Sequence, residues 1–138
     1  MRRMIAAALA FCFALAPFAA TAQSVPMKFD SAASTNATEV IVGKALLKSI
    51  VPLNTTIVIY WLKFYDVAVA PTCGTTLPVV WKVPIPFGAS NSGGGAVIDV
   101  PDGLQFQNGI GFCLTGAQAD NDTSNAATGV VINLGVKQ

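Results

Sequence analysis

Histidine is absent from this 138-residue chain. That removes the commonest general base and metal ligand at once, and with it any Ser–His or Cys–His nucleophile. Charge is scarce: 11% of the residues are Asp, Glu, Lys or Arg, and the formal net charge is +1. A nucleic-acid surface needs clustered basic residues, and eight dispersed Lys and Arg do not make one. The carboxylates are Asp30, Glu39, Asp66, Asp99, Asp102, Asp120 and Asp122. No spacing among them suggests a paired acid and base. There is no Gly-x-Ser-x-Gly elbow and no glycine-rich loop opening a helix. No 3.6-residue apolar stripe persists long enough for a sizeable helix. These absences speak against an enzyme and against a bound cofactor.

The N-terminus reads as a secretory signal. Arg2 and Arg3 form a short positive region, an apolar run extends to about Ala20, and Ala20-Thr21-Ala22 is a small-x-small cleavage site. A membrane anchor is the other reading of this run, but Pro17 interrupts it. Cleavage after Ala22 leaves a chain with one more acidic than basic residue, no second span, and a secreted or periplasmic address. Cys12 leaves with the signal, so Cys73 and Cys113 remain as a pair in an oxidising compartment. A disulfide between them is the expectation, two free thiols the alternative.

Residues 23–35 are rich in Ser, Ala and Thr and read as a flexible lead-in. Residues 36–138 then alternate short apolar runs, rich in Val, Ile and Thr, with turn clusters. The pattern predicts seven strands, near 37–42, 45–52, 57–65, 77–85, 96–100, 109–115 and 129–136. Pro101-Asp102-Gly103 is a turn signal, and residues 90–95 and 119–127 read as loops. In the fourth strand Leu77, Val79, Trp81, Val83, Ile85 and Phe87 share the inward side. Prolines at 78, 84 and 86 on the other side mark a sheet edge. Ile110, Phe112 and Leu114 face the core, which turns Cys113 outward; Val130, Ile132, Leu134 and Val136 do likewise in the last strand. An all-β antiparallel sandwich fits, and a jelly roll is one topology it could take.

The third strand is apolar on both sides. Val58, Tyr60, Leu62 and Phe64 make one side; Ile59, Trp61 and Tyr65 surround Lys63 on the other. That second side needs a cover, either the chain's own loops or a partner, which makes Ile59, Trp61, Lys63 and Tyr65 a candidate interface for a homo-oligomer. Trp61 and Tyr65 could alternatively serve as platforms for a glycan or another cell-surface ligand. Asp120 and Asp122, with Asn121 and Thr123, form the one oxygen-rich cluster. They are a weak calcium candidate without the EF-hand's spacing or terminal glutamate, so no metal is the default.

Two stretches resemble small β-rich structural or uncharacterised proteins of tailed phages and prophages. Trp61-Leu62-Lys63-Phe64-Tyr65-Asp66, Ala70-Pro71-Thr72 and Pro84-Ile85-Pro86 look like that family's YLKLYD…APT…PIP segment. Pro101-Asp102-Gly103-Leu104-Gln105-Phe106, Gly109-Ile110-Gly111-Phe112, Ala119-Asp120-Asn121-Asp122-Thr123 and Val131-Ile132-Asn133-Leu134-Gly135 look like its ending. The resemblance implies a β scaffold acting by packing rather than catalysis. The export signal and the cysteine pair depart from the family's pattern.

Overall fold

A computed structural model describes residues 23–89 and 92–138. The expected export signal over 1–22, with Cys12, lies outside the described residues, as do Ser90 and Asn91 of the loop 90–95. Among the described residues there are nine strands: β1 (Val25–Asp30), β2 (Thr38–Val42), β3 (Ala45–Asn54), β4 (Tyr60–Asp66), β5 (Trp81–Ile85), β6 (Gly94–Gly95), β7 (Ile98–Phe106), β8 (Gly109–Thr115) and β9 (Val130–Lys137). No helix of the described residues is long and apolar enough to cross a membrane.

The strands form two antiparallel sheets. One runs β1-β9-β3, with β6 and β7 sharing the far side of β3; the other runs β2-β8-β4-β5. Excursions between sheets place each sequence-distant pair side by side, β1 on β9 and β2 on β8. This double Greek key of eight main strands is a jelly roll, so the all-β sandwich expected from the alternation is what forms.

Period-2 patterning explains the core. Val130, Ile132, Leu134 and Val136 of β9 are all buried, as are Ile110, Phe112 and Leu114 of β8 and Tyr60, Leu62 and Phe64 of β4. Leu47 and Ile50 of β3 and Val83 and Ile85 of β5 complete the same cluster. The edge predicted from proline is present: β5 pairs only with β4, and Pro84 points to solvent.

Several expectations need correction. Residues 25–30 are not a lead-in without structure: they form β1, paired with β9 over the register Val25↔Val136 to Asp30↔Val131. Met27 and Phe29 turn inward, and the Phe29 ring meets Phe112 of the opposite sheet edge-on at 5.2 Å. The expected third strand starts three residues late. The Asn54 side chain accepts from the Thr56 N–H and hydroxyl and donates to the Val58 carbonyl, so 55–59 is turn. Residues 77–80 are loop, and Leu77 and Phe87 are exposed rather than inward-facing. Pro101, Asp102 and Gly103 do not end a strand. They bulge out within β7 between the pairs Ser49↔Asp99 and Leu47↔Leu104.

Candidate functional site

The outward side of β4 was the sequence's most conspicuous surface, and the structure divides it in two. Lys63 and Tyr65 are 0% and 1% exposed. They are sealed by two loops of this same chain, 67–80 and 116–124. Lys63 and Tyr65 are therefore not surface anchors, and the interface expected across all four residues is reduced to Ile59, which is exposed, and Trp61, which is half-buried.

The cover is held by identifiable contacts. Cys73 is bonded to Cys113 with a Cα–Cα distance of 5.9 Å, as the outward turn of Cys113 allows. Cys113 lies directly across from Lys63 and Gly111 across from Tyr65. Gly111 is required: a Cβ there would stand 2.9 Å from both Pro71 Cδ and Val67 Cγ2 of the covering loop. At Gly74 (φ +76°) the two loops meet, and a Cβ would fall 2.3 Å from Thr123 Cγ2. Asp66 anchors the neck by accepting the backbone N–H groups of Asn108 (2.7 Å), Gln107 (3.0 Å) and Gly109 (3.3 Å). Desolvation by itself raises the Asp66 carboxyl, but those N–H groups together hold it below the usual carboxylate range.

Beneath the cover the electrostatics are unusual. The Lys63 ammonium donates to the Ala119 carbonyl at 2.5 Å. Burial pushes its pKa down, against the pull of Asp122 and Asp120, and Lys82 adds to the depression. The Tyr65 hydroxyl is buried with no hydrogen-bond partner among the described residues, and burial with the nearby Asp120 charge pushes its pKa up. A lysine in this state could be a nucleophile if substrate reached it, but 0% exposure denies that access.

Asp120 and Asp122 are occupied with the loop's own structure. Asp120 pairs with Lys82 at 2.7 Å. Asp122 accepts from the Ala117 N–H, the Ser124 N–H and the Ser124 hydroxyl. Desolvation raises the Asp122 carboxyl, and these donors outweigh it and hold it low. No group of three or more His, Cys, Asp or Glu residues that could hold a metal meets among the described residues. A cleft of about 490 Å³ opens between the loops, lined by residues 74–79 with Asp120 and Asn121. None of its lining residues is aromatic, so neither Trp61 nor Tyr65 provides it with a stacking platform.

The other half of the β4 region leads to an end of the sandwich that the sequence reading missed as a unit. No charged residue occurs in 49–61, 83–98 or 123–136. The fold brings these three segments together: the Thr55 N–H bonds the Gly129 carbonyl, the Asn54 amide reaches the Ile85 carbonyl, and Gly93 lies against Leu53. Ile57, Val97, Phe87, Val58, Leu53 and Ile59 are exposed there, Ile57 at 72% and Phe87 at 54%. The signal available in the sequence was the coincidence of three charge-free runs, which only the topology makes neighbours.

No protein-family model matches this chain, and no curated protein matches it.

Proposed function

We propose that this chain is an exported, non-enzymatic structural or assembly protein, similar in kind to the phage and prophage β proteins its motifs resemble, that acts by packing sandwich against sandwich into homo-oligomers. The observation that carries the reading is the uncharged apolar surface that, among the described residues, stands exposed at Ile57, Val58, Ile59 and Phe87 with half-buried Trp61 near Ile59 in the chain. Exposed apolar side chains gathered at one end of a small domain are the mark of an interaction site. The absence of histidine and the sealing of Lys63 support a role without catalysis. The disulfide supports an oxidising compartment. Light scattering on the full chain expressed with export tests the reading. Assembly beyond the monomer at micromolar concentration is the expected result, and a strict monomer sinks it. Intact mass of the same material should show a chain beginning at Gln23.

A second reading, an extracellular glycan-binding module, has one specific observation in its favour. The cleft between the covering loops presents Thr75, Thr76, Asp120 and Asn121, hydroxyl, carboxylate and amide groups suited to a polyhydroxyl ligand. A glycan array probed with wild type and Asn121→Ala decides it: no hits removes the reading.

A further inference from the structure

We infer that two copies of this chain associate tip to tip about a two-fold axis, each burying the uncharged end formed by Leu53, Ile57, Val58, Ile59, Phe87 and Val97 against the same end of the other. This rests on the assembly reading above and names its partner and geometry.

Three observations select a second copy in this orientation. First, the patch is large enough to matter. Six residues at their observed exposures, between 38% and 72%, present on the order of 500 Å² per copy, so a pair that covers all of it buries at most about 1,000 Å², at the lower limit of a specific interface. Second, a two-fold contact sets every residue against its own neighbourhood, so any charge in the patch would meet its like. The three segments that make this end carry none. The opposite end carries Lys44, Asp66 and Lys137 around the β2–β3 turn, the β4 terminus and the end of β9. Head-to-tail packing would desolvate those charges against an apolar surface, which is costly without partners. Third, the tip is set in advance: the Asn54 side chain and the Thr55–Gly129 hydrogen bond hold the turn in one conformation, so little ordering is left to do on contact. A bilayer would bury the same side chains with Trp61 at their margin, so vesicle flotation is the arm of the test that separates a lipid surface from a second copy.

Sedimentation of the full chain tests this with variants Ile57→Asp and Phe87→Ser. Both positions lie outside the core, so the variants should fold. Val69→Asp is the control, because Val69 is 63% exposed but follows closely on Val67, whose N–H bonds the Gly109 carbonyl at the charged end. Wild type and Val69→Asp should sediment as the same dimer, and added salt should not weaken it. Ile57→Asp introduces a charge near its symmetry mate and should weaken association by about a hundredfold or more. Phe87→Ser should weaken it by about tenfold. Oligomers that persist unchanged in both tip variants overturn the tip-to-tip geometry while leaving the assembly reading standing. A wild-type monomer at high micromolar concentration overturns both. A monomer that floats with phosphatidylcholine vesicles, and ceases to do so as Ile57→Asp, overturns the pairing in favour of a lipid surface.

Discussion

Within nine residues, 57–65, the chain carries both strongly exposed and fully sealed apolar surface. Ile57 is 72% exposed and Tyr65 is 1% exposed. Their composition is similar; their surroundings are not. At the Tyr65 end, the covering loop lies on β8 because Cys73 is bonded to Cys113 and because Gly111 leaves room for Pro71. At the Ile57 end, among the described residues, no crosslink fastens a loop over the surface. Coverage here is a property of where a loop is fastened, not of how apolar the strand is.

The disulfide should therefore give the largest effect when that contrast is broken. It closes a loop of sequence separation 40, which in the chain-entropy model contributes about 4 kcal/mol. Cys73→Ser with Cys113→Ser should lower the denaturant-derived stability by about that much. It should also speed amide exchange in 67–80 while leaving β9 protected to the global limit. A loss below about 1 kcal/mol would mean the cover holds without its fastening.

Next in size is Asp66, whose carboxylate accepts from three consecutive backbone N–H groups at the β7–β8 turn. Asp66→Ala should cost about 2 kcal/mol near neutral pH, since hydrogen bonds to a charged group are worth about 1.5–3 kcal/mol. The carboxyl's folded pKa lies below its unfolded value. Its stabilisation is thus present above the unfolded value and disappears as pH falls through the folded one. An acid titration of wild type should show that loss, and Asp66→Ala should lack it.

The two residues sealed under the cover should give smaller effects of opposite sign. Tyr65→Phe removes a buried hydroxyl that has no partner among the described residues, so the variant should be unchanged or more stable by up to about 1 kcal/mol. For Lys63 the folded pKa lies below the unfolded one. Between those two values the unfolded chain binds more protons, so stability rises with pH there. Lys63→Met should abolish that rise and be neutral or mildly stabilising near neutral pH. A wild-type stability that falls across the same window would show that the ammonium is better solvated than its burial implies. Tyr65 acts at the upper end: its raised pKa means that stability is lost once pH exceeds the unfolded tyrosine value.

The smallest effect on stability belongs to the tip. Ile57→Asp should change the monomer's folding free energy by no more than about 0.5 kcal/mol, as expected for a substitution at an exposed site. Denaturation at a concentration low enough to dissociate any oligomer checks this. A large loss would mean that Ile57 supports the core, and the contrast between the two ends of 57–65 would dissolve.

Much of the core was legible in the sequence, because a half-buried strand alternates strictly and one face must be apolar. Ile110, Phe112, Leu114 and the even-numbered residues of 130–136 were readable for that reason, and so was the outward turn of Cys113. The prolines at 84 and 86 marked the edge because they lack an N–H. β1 was missed because its inward pair, Met27 and Phe29, is short and adjoins a run of Ser, Ala and Thr; its pairing partner lies more than a hundred positions away. The strand was begun too early at 57 because Ile and Val favour strands, whereas the Asn54 side chain holds the turn. The cluster in the loop expected at 119–127 reads as a weak cation site because local sequence shows oxygen atoms but not their donors; Asp120 pairs with Lys82 and Asp122 accepts from the loop's own N–H groups.

By itself the sequence determined the fold class and the inward faces of most strands, because these follow from local alternation; the bond between Cys73 and Cys113 was an expectation that the structure bears out. Only the tertiary structure decided which strands are neighbours, which half of 57–65 is covered, and that three separate charge-free runs meet at one end. Those outcomes depend on contacts between residues far apart in the chain, through β-ladders, one crosslink and close glycine approaches, and no window of local sequence contains both members of such a pair.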